Sequence, residues 1–164
     1  MKWIKLVIIS AIILFVVVFL LSLLIPDRVR ISRAVNITAP QRNIVATVRN
    51  PATWTQWNEL LKNAAVNGVE TTQDQITAGK LDIVYTMVSA DTVKTIWRSR
   101  QGRQITGVFA FQQSGDVTVV QWYFDFHIPW YPWEKIASIN FDKQWGPAME
   151  QSLDNLKEMH QARP

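Results

Sequence analysis

The 164-residue sequence predicts an α+β fold: one antiparallel sheet and one long C-terminal helix, with a transmembrane helix in front of both. Three observations carry this. Residues 6–25 form an apolar run without charge, Pro or Gly. Four runs with alternating apolar positions then follow one another through short turns between Lys80 and Ile128. Last, Phe141, Trp145, Met149, Leu153 and Leu156 recur at spacings of 4, 4, 4 and 3, the period of one helix face.

The apolar run comes first. At about 1.5 Å rise per residue its 20 residues span about 30 Å, the thickness of bilayer hydrocarbon. Among the first 25 residues only Lys2, Lys5, Ser10 and Ser22 are not apolar. The run exceeds the ~7–15-residue apolar region of a cleaved secretory signal, and no small-x-small site precedes Pro26-Asp27, so it reads as a retained single-pass anchor. Lys2, Lys5 and the α-amine precede it and Arg28, Arg30 and Arg33 follow, so the positive-inside counts nearly cancel. Long domains translocate largely regardless of charge, whereas a short lysine-bearing N-terminus is retained. The expected location is the cytoplasmic (inner) membrane, N-terminus inside and domain on the outer or periplasmic side. Residues 1–27 are then anchor and short linker, and residues 28–164 one domain.

Val29 to Ile37 alternates as a half-buried strand that begins almost at the membrane. Thr38-Ala-Pro40 stops it and opens a helix, with Thr38 the expected N-cap and Ile44, Val45 and Val48 on one face. Asn50-Pro51 breaks that helix, and a second follows through Trp54, Trp57, Leu60 and Leu61. Residues 63–75 carry a weak signal, strand or loop. The four β runs are Lys80 to Ser89, Thr92 to Arg100, Gln104 to Gln112 and Val117 to Ile128. Turns at Ala90-Asp91, Gln101-Gly102 and Ser114-Gly115-Asp116 are short enough to make antiparallel hairpins.

Charge and composition exclude several functions. Past residue 25, 15 Lys+Arg oppose 13 Asp+Glu, so despite a pI near 9.6 the domain is too nearly neutral for a footprint on phosphate, and no nucleic-acid partner is expected. Without Cys there is no disulfide framework, thiol nucleophile or thiolate metal site. His127 and His160 are the only histidines and have no ligand spacing; no metal and no cofactor are expected. His127, at a strand end beside Pro129, reads as a satisfied edge histidine in preference to a general base, and His160 lies in a C-terminal tail expected to fray. Neither a nucleophile elbow nor a phosphate loop occurs, and no catalytic residue is assigned.

The chain from Arg28 onward resembles the SRPBCC superfamily, the START-like helix-grip fold of polyketide cyclase/dehydrase and lipid-transport domains. The resemblance rests on a first strand ending in Asn36-Ile-Thr-Ala-Pro40, the helical Ile44-Val-Ala-Thr-Val48, and Asn50-Pro-Ala-Thr-Trp54 with Trp57 three residues on. Pro132-Trp-Glu-Lys135, Phe141-Asp-Lys143, Gly146-Pro147 and Leu153-Asp-Asn-Leu156-Lys157 extend it, so that it covers residues 28–160. It implies a curved antiparallel sheet wrapped on the C-terminal helix, with an apolar cavity between them. No catalytic residue carries over.

Strand alternation says what would face that cavity. Leu81, Ile83, Tyr85 and Met87 point inward, as do Val93, Thr95, Trp97 and Ser99, then Ile105, Gly107, Phe109 and Phe111, and Val120, Trp122, Phe124 and Phe126. Composition alone describes an interdigitated core; the resemblance implies a cavity. The candidate ligand-binding residues are therefore Tyr85, Met87, Trp97, Phe109, Phe111, Trp122, Phe124, Trp145 and Met149, with Gly107 and Ser99 marking where room remains. Arg98, Arg100 and Arg103 gather at one hairpin, either a solvated tip or a contact for anionic headgroups. Trp130, Tyr131 and Trp133, separated by prolines, either cap the sheet or form a portal loop that touches lipid. Two functions are open on this reading. One is a membrane-tethered module binding a lipid or other hydrophobic small molecule. The other is a protein-interaction domain with a filled core, acting on a partner in the same membrane. A cyclase-type enzyme is third.

Overall fold

The computed structural model describes residues 2–64, 68–100 and 102–161; Gln101 of the predicted hairpin turn and the tail beyond Gln161 lie outside them. The apolar run forms helix α1 (Lys2–Ser22), long and apolar enough to cross a membrane. Strand β1 (Arg28–Ile37) comes next with little slack, because the Ile128 amide donates to the Asp27 carbonyl at 2.7 Å and holds the linker to the sheet.

Helix α2 (Gln41–Arg49) starts two residues later than expected. Pro40 occupies the N-cap, no side chain of the cap residue bonds the helix, and Thr38 has no part in it. The Gln41 amide instead donates to Gln113 Oε1 at 2.8 Å, so a side chain from the sheet takes up one of the orphan donors at the helix start. The second predicted helix is split into a 3-10 turn (Pro51–Thr53), α3 (Trp54–Trp57) and α4 (Glu59–Ala64). Asn58 is the reason for the split: its backbone is extended, and its Oδ1 accepts from the Leu61 amide at 3.2 Å, which caps α4.

Where the sequence signal is weak, the chain forms two short strands, β2 (Val69–Thr71) and β3 (Gln75–Ala78). Strands β4 (Leu81–Val88), β5 (Thr92–Ser99), β6 (Gln104–Ser114) and β7 (Val117–His127) match the four alternating runs. Gly115, at φ +59°, makes the β6–β7 turn in the left-handed region that glycine reaches without steric cost. All seven strands pair antiparallel in the order β1-β7-β6-β5-β4-β3-β2, and β1 closes on β7 with Ile31 opposite Phe124. Helix α5 (Pro132–Ser138) begins where the sequence pattern switches to helix after Pro132, but as an element separate from the long helix; Pro stands at its first position, where the ring's fixed φ suits a helix start.

Helix α6 (Phe141–Gln161) takes the C-terminal stripe, burying Met149, Leu153 and Leu156, and it continues through His160 instead of fraying before it. It lies along β1 and meets α3 and α4. Two small residues allow the close approach. A Cβ at Gly146 would collide with the Arg33 guanidinium, which reaches from β1 under α6 and pairs with Asp142 at 3.0 Å. Ser152 Oγ accepts the Glu59 amide at 2.9 Å and Asn155 Nδ2 donates to the Trp57 carbonyl at 3.1 Å, tying α6 to the short helices. The result is a curved antiparallel sheet gripping a C-terminal helix.

Candidate functional site

The concave face of the sheet carries the residues that alternation turned inward, and α2, α3 and α4 cover them. Trp54 stands edge-on to Tyr85 and Phe109 (5.8 Å each) and tilted to Trp97 (6.0 Å). Trp57 meets Phe109 at 5.9 Å and Trp122 at 6.4 Å, while Phe109 and Trp122 stack at 4.8 Å. Trp54, Trp57, Trp97, Trp122, Phe109 and Phe124 are all buried, and so are Phe111 and Met149. Most ring edges meet ring faces, the arrangement that quadrupoles favour, and the rings fill the space between sheet and helices.

Polar atoms in this interior are mostly served locally. Trp54 Nε1 and the Tyr85 hydroxyl both donate to the Val48 carbonyl, at 2.7 and 2.9 Å, satisfying an orphan acceptor at the end of α2. Burial pushes the Tyr85 phenol well above its ordinary range, so it stays protonated and remains a donor. Trp97 Nε1 donates to Thr95 Oγ1 at 3.0 Å, which in turn donates to the Gly107 carbonyl at 3.2 Å. Trp57 Nε1 and Trp122 Nε1 are buried without an acceptor among the described residues, each a cost of about 1–3 kcal/mol.

Two expectations about this face need correction. Gly107 does not mark free space: a Cβ there would stand 2.9 Å from Phe124 and from Thr95 Oγ1 and 3.0 Å from Trp97 Nε1. Met87 does not point inward either. The register slips between Tyr85 and Met87, which pair with Thr95 and Lys94, and this bulge breaks the two-residue alternation, leaving Met87 49% exposed. Ser99 sits half-buried at the end of β5.

Open space lies elsewhere. A cleft of about 540 Å³ sits where β6 begins, β7 ends and α6 starts, with apolar walls from Ile105, Phe126, Ile128, Phe141 and Trp145. Its rim carries Arg103, Glu134, His127 and Gln144. Arg103 pairs with Glu134 at 2.9 Å, joining the β5–β6 hairpin to α5 across the mouth. Of the nine residues expected to line a cavity, Trp145 alone reaches this cleft. Phe126 and Phe141 were readable, one as an inward strand position and one as the first residue of the helical stripe. What the strand period could not show is that the rings fill the middle of this face and leave an apolar-walled space at this end. Phe124 touches both regions, at 5.0 Å from Trp122 and 5.7 Å from Trp145.

The cleft opens at the end of the domain that α1 enters. The C-terminal end of α1 meets α5, Lys135 Nζ donates to the Ile25 carbonyl at 2.9 Å, and Ser22 and Ser138 are buried. Beside it Tyr131 lies tilted to Trp130 at 4.7 Å and stacked on Trp133 at 5.0 Å. Among the described residues no group of His, Asp and Glu is arranged to hold a metal ion.

Comparison with known proteins agrees with this geometry. Residues 28–161 match the model of the family described as polyketide cyclase / dehydrase and lipid transport. Among solved structures, CalU16 from Micromonospora echinospora is similar with a TM-score of 0.60 at 13% identity, over 82% of this chain and 76% of that one. Protein MLL2253 from Mesorhizobium loti gives 0.59 at 11% identity, over 83% of this chain and 99% of that one. The di-domain ARO/CYC StfQ from the steffimycin biosynthetic pathway gives 0.62 at 9% identity, over 83% of this chain and 51% of that one. At these identities the likeness is one of fold. None of the curated proteins matches the chain.

Proposed function

The chain belongs to the polyketide cyclase / dehydrase and lipid transport family, and from that premise we propose that it is a membrane-tethered module taking a lipid or other hydrophobic small molecule into the cleft beside its anchor. The observation that supports this reading best is the position of the cleft: apolar-walled, about 540 Å³, and open at the end where α1 joins the domain. That size falls within the ~300–1,000 Å³ of small-molecule sites, and apolar ligand surface buried there contributes roughly 25 cal/mol per Å². The ligand sits against Trp145, Phe126 and Phe141 at the mouth. Trp97, Trp122 and Phe109 support those walls from behind.

In this reading α1 crosses the cytoplasmic membrane with the N-terminus inside. Alkaline phosphatase fused at Pro164 should be active, because that enzyme needs an oxidising compartment for its disulfides; an inactive but stable fusion reverses the orientation.

A filled interior favours the second reading, a protein-interaction domain acting on a partner in the same membrane. The cyclase-type reading would rest on His127 and Gln144 at the cleft rim. Native mass spectrometry of the detergent-purified full chain, followed by uptake of a fluorescent fatty acid from vesicles, separates the first two. Binding by the parent, weakened about tenfold in Trp145→Ala, is the expected result. If the folded protein carries no hydrophobe and takes up no fatty acid above background, the interaction domain becomes the better reading.

A further inference from the structure

The segment between the last strand and α6 exposes an apolar face that the fold does not use. Trp130 is 67% exposed, Trp133 61%, Ile136 44% and Ile139 65%, with Tyr131 in ring contact with both indoles. Residues capping the core would be buried, so these do not close the end of the sheet. Trp133 and Ile136 lie three apart on α5, which places them on one side of that helix, and Ile139 lies three further on. The face is continuous with α1. The end of α1 packs on α5, Lys135 bonds the Ile25 carbonyl, and Leu23 and Leu24 carry the exposed apolar surface of α1 up to the domain.

Charge at the two ends of the sheet is unequal. The strand ends and turns at the α1 end of the sheet carry Arg28, Lys80, Arg100 and Arg103, Arg100 donating its amide to the Lys80 carbonyl at 3.0 Å. The turns at the opposite end carry Asp74, Asp91 and Asp116, with Arg42 of α2 beside the β4–β5 turn. On the α1 side Glu134 is paired with Arg103, leaving Asp27 as the acidic side chain of the linker.

We infer that Trp130, Tyr131, Trp133, Ile136 and Ile139 lie in the headgroup and acyl boundary of the bilayer that α1 crosses, and hold the domain at a fixed tilt with its cleft against the membrane. Each part of the chemistry fits that medium. Trp and Tyr combine an apolar body with a polar tip and favour the interface. The aliphatic Ile136 and Ile139 reach below it, and the ring of Lys and Arg meets anionic headgroups. The Lys135 bond and the short linker keep this end facing the bilayer. The inference takes α1 as a membrane span from the proposed function.

The chain has no Cys, so single cysteines report cleanly. The full chain is reconstituted alone into vesicles of phosphatidylcholine with a minor share of phosphatidylglycerol. Nitroxide labels are placed in turn by Trp133→Cys, Ile136→Cys, Ile139→Cys, Asp116→Cys and Leu14→Cys, and collision with oxygen and with a water-soluble nickel chelate gives each label's depth. Labels at 133, 136 and 139 should sit about 5–10 Å below the headgroup surface, with 116 fully aqueous and 14 near the bilayer centre. The inference is overturned if 136 and 139 collide with the nickel chelate as freely as 116 does; the face then belongs to a protein partner, since the vesicles hold none. A label at 14 that is also aqueous removes the span itself. Since no ligand is involved, failure at 136 and 139 with 14 immersed leaves the ligand reading standing.

Discussion

The interior beneath α2–α4 and the cleft beside α1 are built from the same stock, aromatic side chains from one face of the same strands and from the helices packed on it, yet one is closed and the other open. Trp122 in the first is fully buried; Trp145 in the second is half-buried, though Phe124 links the two within 6 Å. The difference lies in what covers them. Over β5 and β6 the short helices insert Trp54 and Trp57, whose rings take the space between sheet and α6. Over the last residues of β7 the short helices insert no ring: Phe141 and Trp145 of α6 meet Phe126 at 5.0 and 5.5 Å, and the aromatic segment and α5 turn outward to α1. In this fold the lining of a cavity is supplied by the sheet, but whether a cavity exists is decided by its lid.

That contrast can be tested by perturbing each side of it. The largest effect should come from Leu153→Asp, which sets a carboxylate where α6 meets the core: a loss of about 4 kcal/mol or more by denaturant unfolding. A variant that melts like the parent would refute the placement of α6. Trp122→Ala should cost about 3–5 kcal/mol, because a buried ring surrounded by rings leaves a cavity that cannot collapse. Trp145→Ala should cost much less stability but weaken fatty-acid uptake by about tenfold, the loss of one large contact at a small site. Equal stability losses for the two indoles would erase the distinction between core and cleft.

Gly107→Ala tests the closed side from the other direction. Its added methyl would press on Phe124, Thr95 and Trp97, costing about 1–3 kcal/mol by overpacking; a neutral or stabilising outcome in a melting experiment would mean that the interior does have room. The smallest effect concerns the helices that form the lid. Lys62, bonding Glu59 at 2.7 Å, holds the Glu59 carboxyl below the usual range, with Asn155 of α6 assisting. A depressed carboxyl adds stability above its ordinary pKa and loses it as pH falls through the lowered value. Glu59→Gln should therefore cost about 0.5 kcal/mol at neutral pH and nothing in acid, a difference visible in paired unfolding curves.

Sequence alone determined the features that arise from local period and local turn chemistry. The apolar run set α1, the two-residue alternation set β1 and β4–β7 with their inward faces, and the spacing of Met149, Leu153 and Leu156 set the buried side of α6. These signals are strong because each residue's face is fixed by its own position in the repeat. Short elements escaped: β2 and β3 have too few residues to show a period, and the break that sets α5 apart from α6 is not marked by any Pro or Gly. The bulge at Thr86 escaped for a related reason, since one extra residue reverses alternation without marking itself, and Met87 was misplaced by it. Only the tertiary structure decided which aromatic face would be sealed. Trp54 and Trp57 are legible as one side of a short helix, but that this helix descends between sheet and α6 depends on the distance between layers, on Gly146 admitting Arg33 beneath α6, and on Ser152 and Asn155 fastening α6 to the short helices. Those are relations between residues far apart in the chain, and no local repeat carries them.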